Sequence, residues 1–156
     1  MGHTNRRRLL AILCLGAVAA ACAGDAGLAQ QRQQAAQALE RWEAGIEPPP
    51  WDPENPPVGI VVDSVEVSPD GASLVATFFG SPDPASQPCG VDYSGEAVES
   101  DLAVVVIIVE HRGPTADACA GVDVIRTTMI TLAAPLGDRA VLDVQQGRPV
   151  ELVQLD

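Results

Sequence analysis

Residues 102–109 read Leu-Ala-Val-Val-Val-Ile-Ile-Val, an unbroken apolar run of eight with polar residues on both sides. β-Branched side chains lose rotamer freedom in a helix and pack well on a pleated surface, so the composition favours a strand. A strand that is apolar at every position has no face for water. We therefore predict that this run is the central strand of the fold and is covered on both faces.

Other strand-like segments precede and follow the central run. They cover residues 58–67, 74–79, 93–98, 122–133, 140–144 and 150–155. Residues 68–71, Ser-Pro-Asp-Gly, predict a hairpin turn. Ile125 and Arg126 break an otherwise alternating pattern, which predicts a bulge. Six or seven short strands in sequence predict an all-β domain, either a small antiparallel β-sandwich or a partly open barrel.

The N-terminal residues have the three parts of an export signal. Residues 1–8 are short and basic, residues 9–21 are apolar, and three alanines precede Cys22. Thirteen apolar residues are too few to span a membrane as a helix, because the hydrocarbon core requires ~20. We therefore predict a cleaved signal peptide over residues 1–21.

Residues 18–22, Val-Ala-Ala-Ala-Cys, resemble the lipobox of bacterial lipoproteins. The resemblance implies that the thiol of Cys22 is acylated, with palmitate-type chains, and that cleavage makes this cysteine the first residue. The mature protein would then be anchored by lipid on the extracytoplasmic face of the cell membrane. The alternative is ordinary cleavage after Ala23 or Ala29, which would give a secreted protein.

Residues 22–46 are interpreted as a lipid-anchored helical spacer. Residues 26–44 are rich in Ala, Gln, Glu and Arg, which favour a helix. The larger apolar residues, Leu28, Leu39 and Trp42, form only a thin stripe. We therefore predict that this helix lies outside a well-packed core.

Residues 47–57 contain six prolines and predict an extended linker. The linker separates the spacer from a β domain over residues 58–156. Trp51 lies in the middle of the linker, where its indole would either dock on its own domain or anchor a partner. The first interpretation is favoured.

The mature chain would be strongly acidic. From Cys22 onward it has six arginines, no lysine and 21 acidic residues, a formal charge of −15. Such a field repels phosphate backbones, so no nucleic acid is expected as a partner. The sequence contains no Gly-rich phosphate loop and no Asp-rich calcium loop, and we predict no cofactor.

Cys89 and Cys119 lie in the loops that flank the central strand. In an exported chain, two such cysteines predict a disulfide. If residues 93–98 pair antiparallel with residues 102–109, both cysteines lie at the same end of the sheet. A zinc site is not predicted, because His111 would supply a third ligand and there is no second histidine nearby.

No catalytic site is predicted from the remaining residues. His111 is the only histidine after the leader, and Ser94 lacks the glycine two residues before it that a nucleophile elbow requires. Carboxylate pairs are expected by chance in so acidic a chain. The candidates for such pairs are Glu96 with Glu99 and Asp123 with Asp143.

Two segments of the β domain resemble a known group of proteins. Residues 88–93, Pro-Cys-Gly-Val-Asp-Tyr, and residues 134–139, Ala-Pro-Leu-Gly-Asp-Arg, are similar to an uncharacterised group of secreted or lipid-anchored proteins of actinobacteria. The lysine-free, alanine-rich composition agrees with that resemblance. It implies a fold and a location without implying an activity.

Two hypotheses on function follow. The first is a non-catalytic cell-envelope lipoprotein, anchored through Cys22, whose domain binds an envelope protein or scaffolds a complex. The second is a small secreted hydrolase that uses His111 with Ser94 or a nearby carboxylate. The two are distinguished by whether these side chains converge in one cleft.

Overall fold

The computed structural model describes residues 22–116, 118–119 and 121–153. The predicted signal peptide over residues 1–21 lies outside the described residues. The elements in chain order are α1 (Cys22–Glu43), β1 (Val62–Val67), β2 (Ser73–Gly80), β3 (Val91–Glu99), β4 (Ala103–Arg112), β5 (Val124–Thr131), β6 (Ala140–Asp143) and β7 (Glu151–Val153).

The strands form two sheets, a four-stranded sheet with the order β5-β2-β1-β7 and a three-stranded sheet with the order β3-β4-β6. The predicted all-β sandwich is therefore confirmed, but the prediction that it is antiparallel throughout is wrong. Both sheets are mixed, because β7 runs parallel to β1 and β6 runs parallel to β4. Short hairpins impose antiparallel pairing on strands that follow each other, whereas β6 and β7 return to their sheets through longer connections that permit parallel pairing.

Strand β4 is the central strand of the three-stranded sheet and is covered on both faces, as predicted. Residues 103–108 are fully buried. Alternate side chains point to opposite faces of a strand. One face, represented by Val106, lies in the core between the sheets, and the other, represented by Ile107, packs beneath α1.

Helix α1 packs on the three-stranded sheet. Ala35, Ala38 and Leu39 are buried in a cluster with residues of β4 and β6. The prediction that the helix lies outside a well-packed core is therefore wrong. Alanines let a helix approach an apolar sheet closely, and the sheet supplies the larger side chains, so a thin stripe is sufficient to bury this face.

The proline-rich segment joins the end of α1 to β1 without separating the helix from the sheets. The Gln34 side chain donates to the backbone carbonyls of Val58 and Val144, at 3.2 and 2.6 Å. These hydrogen bonds hold α1 against the β domain at the end of the proline-rich segment. Trp51 is 63% exposed, so the favoured prediction that its indole docks on its own domain is wrong.

The bulge predicted in β5 is absent, since all eight residues of this strand pair with β2 in one register. Arg126 instead occupies an inward position near the open end of the sandwich, where its guanidinium lies 5.6 Å from the centre of the Tyr93 ring. The register irregularity lies in β1, between Val62 and Ser64.

The predicted disulfide between Cys89 and Cys119 is confirmed, with the two Cα atoms 5.6 Å apart. Strand β3 begins and β4 ends at the same end of the sheet, where Val91 pairs with Arg112. The disulfide therefore joins the loop before β3 to the loop after β4 at this end of the sheet.

Candidate functional site

The serine and histidine singled out in the sequence meet on the surface of the three-stranded sheet. In the β3–β4 ladder Ser94 lies opposite Val109 and His111 lies opposite Asp92. Both side chains therefore point to the face that α1 also covers. The distance between Ser94 Oγ and His111 Nε2 is 2.7 Å, a hydrogen bond of the kind found between a nucleophile and its base.

The third member of a catalytic triad is not in place among the described residues. Asp92 is the nearest carboxylate in the ladder, but its Oδ1 accepts the Ala85 N–H at 3.2 Å, and no carboxylate of the described part hydrogen-bonds to His111. His111 is exposed on an open strand surface and Ser94 is half-buried. A base and a hydroxyl are together, without the orienting acid and enclosing cleft that catalysis uses.

The carboxylates considered as pairs are apart. Glu96 and Glu99 lie on opposite faces of β3: Glu96 binds Arg32 of α1 at 2.7 Å, and Glu99 binds Arg139 at 2.8 Å. Asp143 is buried, whereas Asp123 is exposed and lines a cleft at one end of the sandwich. Neither pair has the geometry of a two-carboxylate hydrolase.

The pKa shifts of buried Asp143 and partly buried Glu99 have structural causes. Burial raises the pKa of Asp143, although the N–H groups of Val62 and Gln146 partly oppose this by hydrogen bonding to the carboxylate. Burial also acts to raise the pKa of Glu99, but hydrogen bonds from the Ala133 N–H and Arg139 outweigh it and lower that pKa. Both groups bind elements of the fold to each other, so their shifts do not mark a catalytic site.

A cleft of about 290 Å³ opens beside the disulfide at one end of the sandwich. Tyr93 fills its floor: the ring meets Phe78 edge to face at 4.9 Å, and its hydroxyl accepts the Ser81 N–H at 2.7 Å. Glu110 and Arg112 at the rim bind each other at 2.7 Å. Tyr93, Glu110 and Arg112 are thus already paired with other groups of the protein, and Asp123 is a further carboxylate in the lining.

The described residues contain no group of three or more His, Cys, Asp or Glu side chains that could hold a metal ion. No helix of the described part is long and apolar enough to cross a membrane.

The outer face of the four-stranded sheet carries an exposed apolar surface. Phe79 lies opposite Ile125, and Val75 lies opposite Met129, in the β2–β5 ladder. Three of these side chains are more than half exposed, Phe79 at 58%, Ile125 at 67% and Met129 at 66%. We call these four residues the β2–β5 patch. The Thr77–Thr127 pair lies between these two apolar pairs. Large exposed apolar side chains grouped on one face of a sheet mark interaction surfaces.

Acidic side chains adjoin the patch on the same face. Glu66 of β1 lies opposite Val75. Glu151 of β7 lies opposite Ser64 of β1, which in turn lies opposite Thr77 of β2. We call Glu66 and Glu151 the acidic flank. Arg126 is the one basic residue within the four strands of this sheet, and it points inward to Tyr93.

This surface was not predicted, although the sequence of β5 contains a signal for it. Both faces of this strand carry apolar residues. Ile130 is buried on the inner face, whereas Ile125 and Met129 are exposed on the outer face. The prediction of a bulge treats Ile125 as a break in the alternation of inward and outward residues. A strand that is apolar on both faces also fits an edge strand with one face in the core and one exposed.

Comparison with protein-family models, with curated proteins and with solved structures finds no match to this chain. The functional assignment therefore rests on the sequence and on the geometry of the described surfaces.

Proposed function

We propose that this protein is a lipid-anchored, extracytoplasmic binding domain that docks a cell-envelope protein through the β2–β5 patch. The observation that carries the proposal is the exposure of this patch in a sandwich whose other sheet is covered by α1. A chain this acidic can remain soluble with one apolar surface exposed, and such a surface is the usual basis of protein recognition.

The proposed anchor is the acylated thiol of Cys22. The lipobox-like residues 18–22 support it, and the packing of α1 argues against the alternative of cleavage after Ala29. Leu28 packs against the cluster beneath the helix, and cleavage after Ala29 would remove that residue. Leu28 lies six positions after Cys22, about 9 Å of helix, so the domain would be held close to the bilayer.

The anchor is tested by fractionation. Acyl chains contribute ~0.8 kcal/mol of membrane affinity per buried CH₂. We expect the parent to partition with membranes and Cys22→Ala to be released. A mature N-terminus at Gly24 or Gln30, or unchanged partition of the variant, would contradict lipid anchoring.

The binding surface is tested by site-specific photo-crosslinking in the native envelope. A photoreactive residue at Thr127, exposed between Ile125 and Met129, should give a discrete adduct. The same residue at exposed Gln33 of α1 is the matched control and should not give that adduct. The Ile125→Ser, Met129→Ser double variant should abolish the Thr127 adduct, and equal adducts from both positions would rule the surface out.

A second candidate function is supported by the 2.7 Å hydrogen bond between Ser94 and His111. In that case the protein would be a small secreted serine hydrolase in which His111 activates Ser94. A fluorophosphonate probe should then label Ser94, with labelling lost in both Ser94→Ala and His111→Gln. A purified parent that takes up no more probe than Ser94→Ala would exclude this candidate.

A further inference from the structure

The contact between α1 and the three-stranded sheet shows how a helix docks on this fold. An apolar stripe, represented by Ala38 and Leu39, packs on β4. Arg32 on the flank of the helix reaches the neighbouring strand and donates to Glu96 Oε2 through Nη2 at 2.7 Å and through Nε at 3.0 Å. Apolar packing on one strand is thus combined with an arginine–carboxylate pair one strand away.

The outer face of the four-stranded sheet presents the same combination on its exposed surface. The β2–β5 patch provides the apolar strands, and Glu66 lies one strand away from Val75. Because neighbouring strands lie about 4.8 Å apart, the acidic flank runs roughly 5–10 Å to one side of β2. A helix with side chains is about 10–12 Å across, so one helix can cover the patch and reach the flank.

We infer that the β2–β5 patch and the acidic flank bind an amphipathic helix of a partner protein, with arginine or lysine along the edge of its apolar stripe. This inference rests on the proposed function and specifies the chemistry of the partner. Charge complementarity selects this occupant, since a second copy of the acidic chain and an anionic lipid surface would both be repelled by the flank.

Three synthetic peptides of about 18 residues, several helical turns, serve as probes. The first carries a leucine stripe edged by arginines, the second has the same composition in an order without a stripe, and the third replaces each arginine by glutamate. Each is titrated into the isotope-labelled full-length protein at about 0.15 M salt. The first peptide should shift backbone signals of β1, β2 and β5 and bind at least about tenfold more tightly than either of the others.

Two pairs of variants assign the binding energy. The Ile125→Ser, Met129→Ser double variant should weaken binding of the first peptide at least about tenfold. Leu102→Ser, which removes a side chain 58% exposed in the β3–β4 turn, is its control and should leave binding unchanged. Glu66→Gln should weaken binding several-fold and reduce its salt dependence, while Glu54→Gln in the proline-rich segment should do neither.

Equal binding of the ordered and reordered peptides would overturn the inference, because it would reflect net charge alone. If the parent self-associates and the double variant does not, the patch binds a second copy of the chain and the inference is wrong. If the double variant binds the first peptide with parental affinity, the β2–β5 patch is not the binding site. The broader proposal fails separately: if the Thr127 adduct in the envelope persists in the double variant, the patch is not a docking surface. A patch-dependent adduct without peptide binding would retain the surface and reject the helix.

Discussion

The buried carboxylate of Asp143 joins the two sheets by accepting the backbone N–H of Val62 at 2.9 Å. Its other oxygen accepts the N–H of Gln146 at 2.7 Å, in the turn after β6. Val62 is where the register of β1 against β2 shifts. The carboxylate therefore holds β6 of one sheet against the irregular start of β1 in the other.

Asp143→Asn should destabilise the protein even though it removes a buried charge. A carboxamide has one acceptor oxygen, so its NH₂ would face one of the two N–H donors. An unsatisfied buried donor costs about 1–3 kcal/mol, and we expect a loss of that size in the free energy of unfolding. Urea denaturation measures it, with exposed Asp138→Asn as the control. Equal stability of parent and Asp143→Asn would refute this role.

Glu99 should make part of the stability depend on acid pH. Its pKa is below the ordinary value of 4.5, so its contribution is present above that pH and lost as pH falls through the lower folded pKa. Near neutral pH, Glu99→Gln should lower the free energy of unfolding by about 1–2 kcal/mol, and this difference should shrink on acidification. Glu96→Gln, which breaks an exposed pair, should change stability by less than about 1 kcal/mol. A pH-independent difference for Glu99→Gln would contradict the assignment.

Reduction of the Cys89–Cys119 disulfide should lower the melting temperature markedly. The bridge closes a loop of 30 residues, for which the chain-entropy model gives about 3.7 kcal/mol. The comparison is between oxidised protein, reduced protein and the Cys89→Ser, Cys119→Ser double variant by calorimetry. Free thiols in the exported protein, or identical melting of the three forms, would argue against a stabilising bridge.

The packing of α1 makes Leu39 a core residue. Leu39→Ala should lower the free energy of unfolding by about 2–3 kcal/mol through lost burial and a residual cavity. Gln33→Ala on the exposed side of the same helix should have an effect within about 0.5 kcal/mol. If α1 were an independent spacer, Leu39→Ala would leave the unfolding of the sheets unchanged.

The central architecture could be predicted from the sequence because its signal is local. The apolar run 102–109 predicts a strand covered on both faces, and residues 103–108 of β4 are buried in this way, although Leu102 lies exposed in the turn before the strand. The loop positions of Cys89 and Cys119 follow from the strands beside them. The sequence does not show that α1 covers the face of this strand that points away from the other sheet. An alanine-rich helix has a weak apolar stripe, and its burial depends on the sheet beneath it.

The candidate sites were predictable only in part, for a similar reason. Ser94 and His111 were each identified, but their 2.7 Å contact depends on the pairing register of β3 and β4. The β2–β5 patch depends on which face of β5 points outward. Arg126 obscured this, because its inward position is satisfied by the face of Tyr93, a contact absent from the sequence pattern.

Hydroxyl-radical footprinting in intact cells and on the purified protein tests the docking surface most directly. Met129 is 66% exposed on the patch, and Trp51 is 63% exposed in the proline-rich segment, which makes it an internal reference. A docked partner should protect Met129 at least about threefold in cells, relative to the purified protein, with Trp51 oxidised equally in both. The Ile125→Ser variant should lose part of that protection. Equal oxidation of Met129 relative to Trp51 in cells and in the purified protein would contradict the central claim that this face binds a partner.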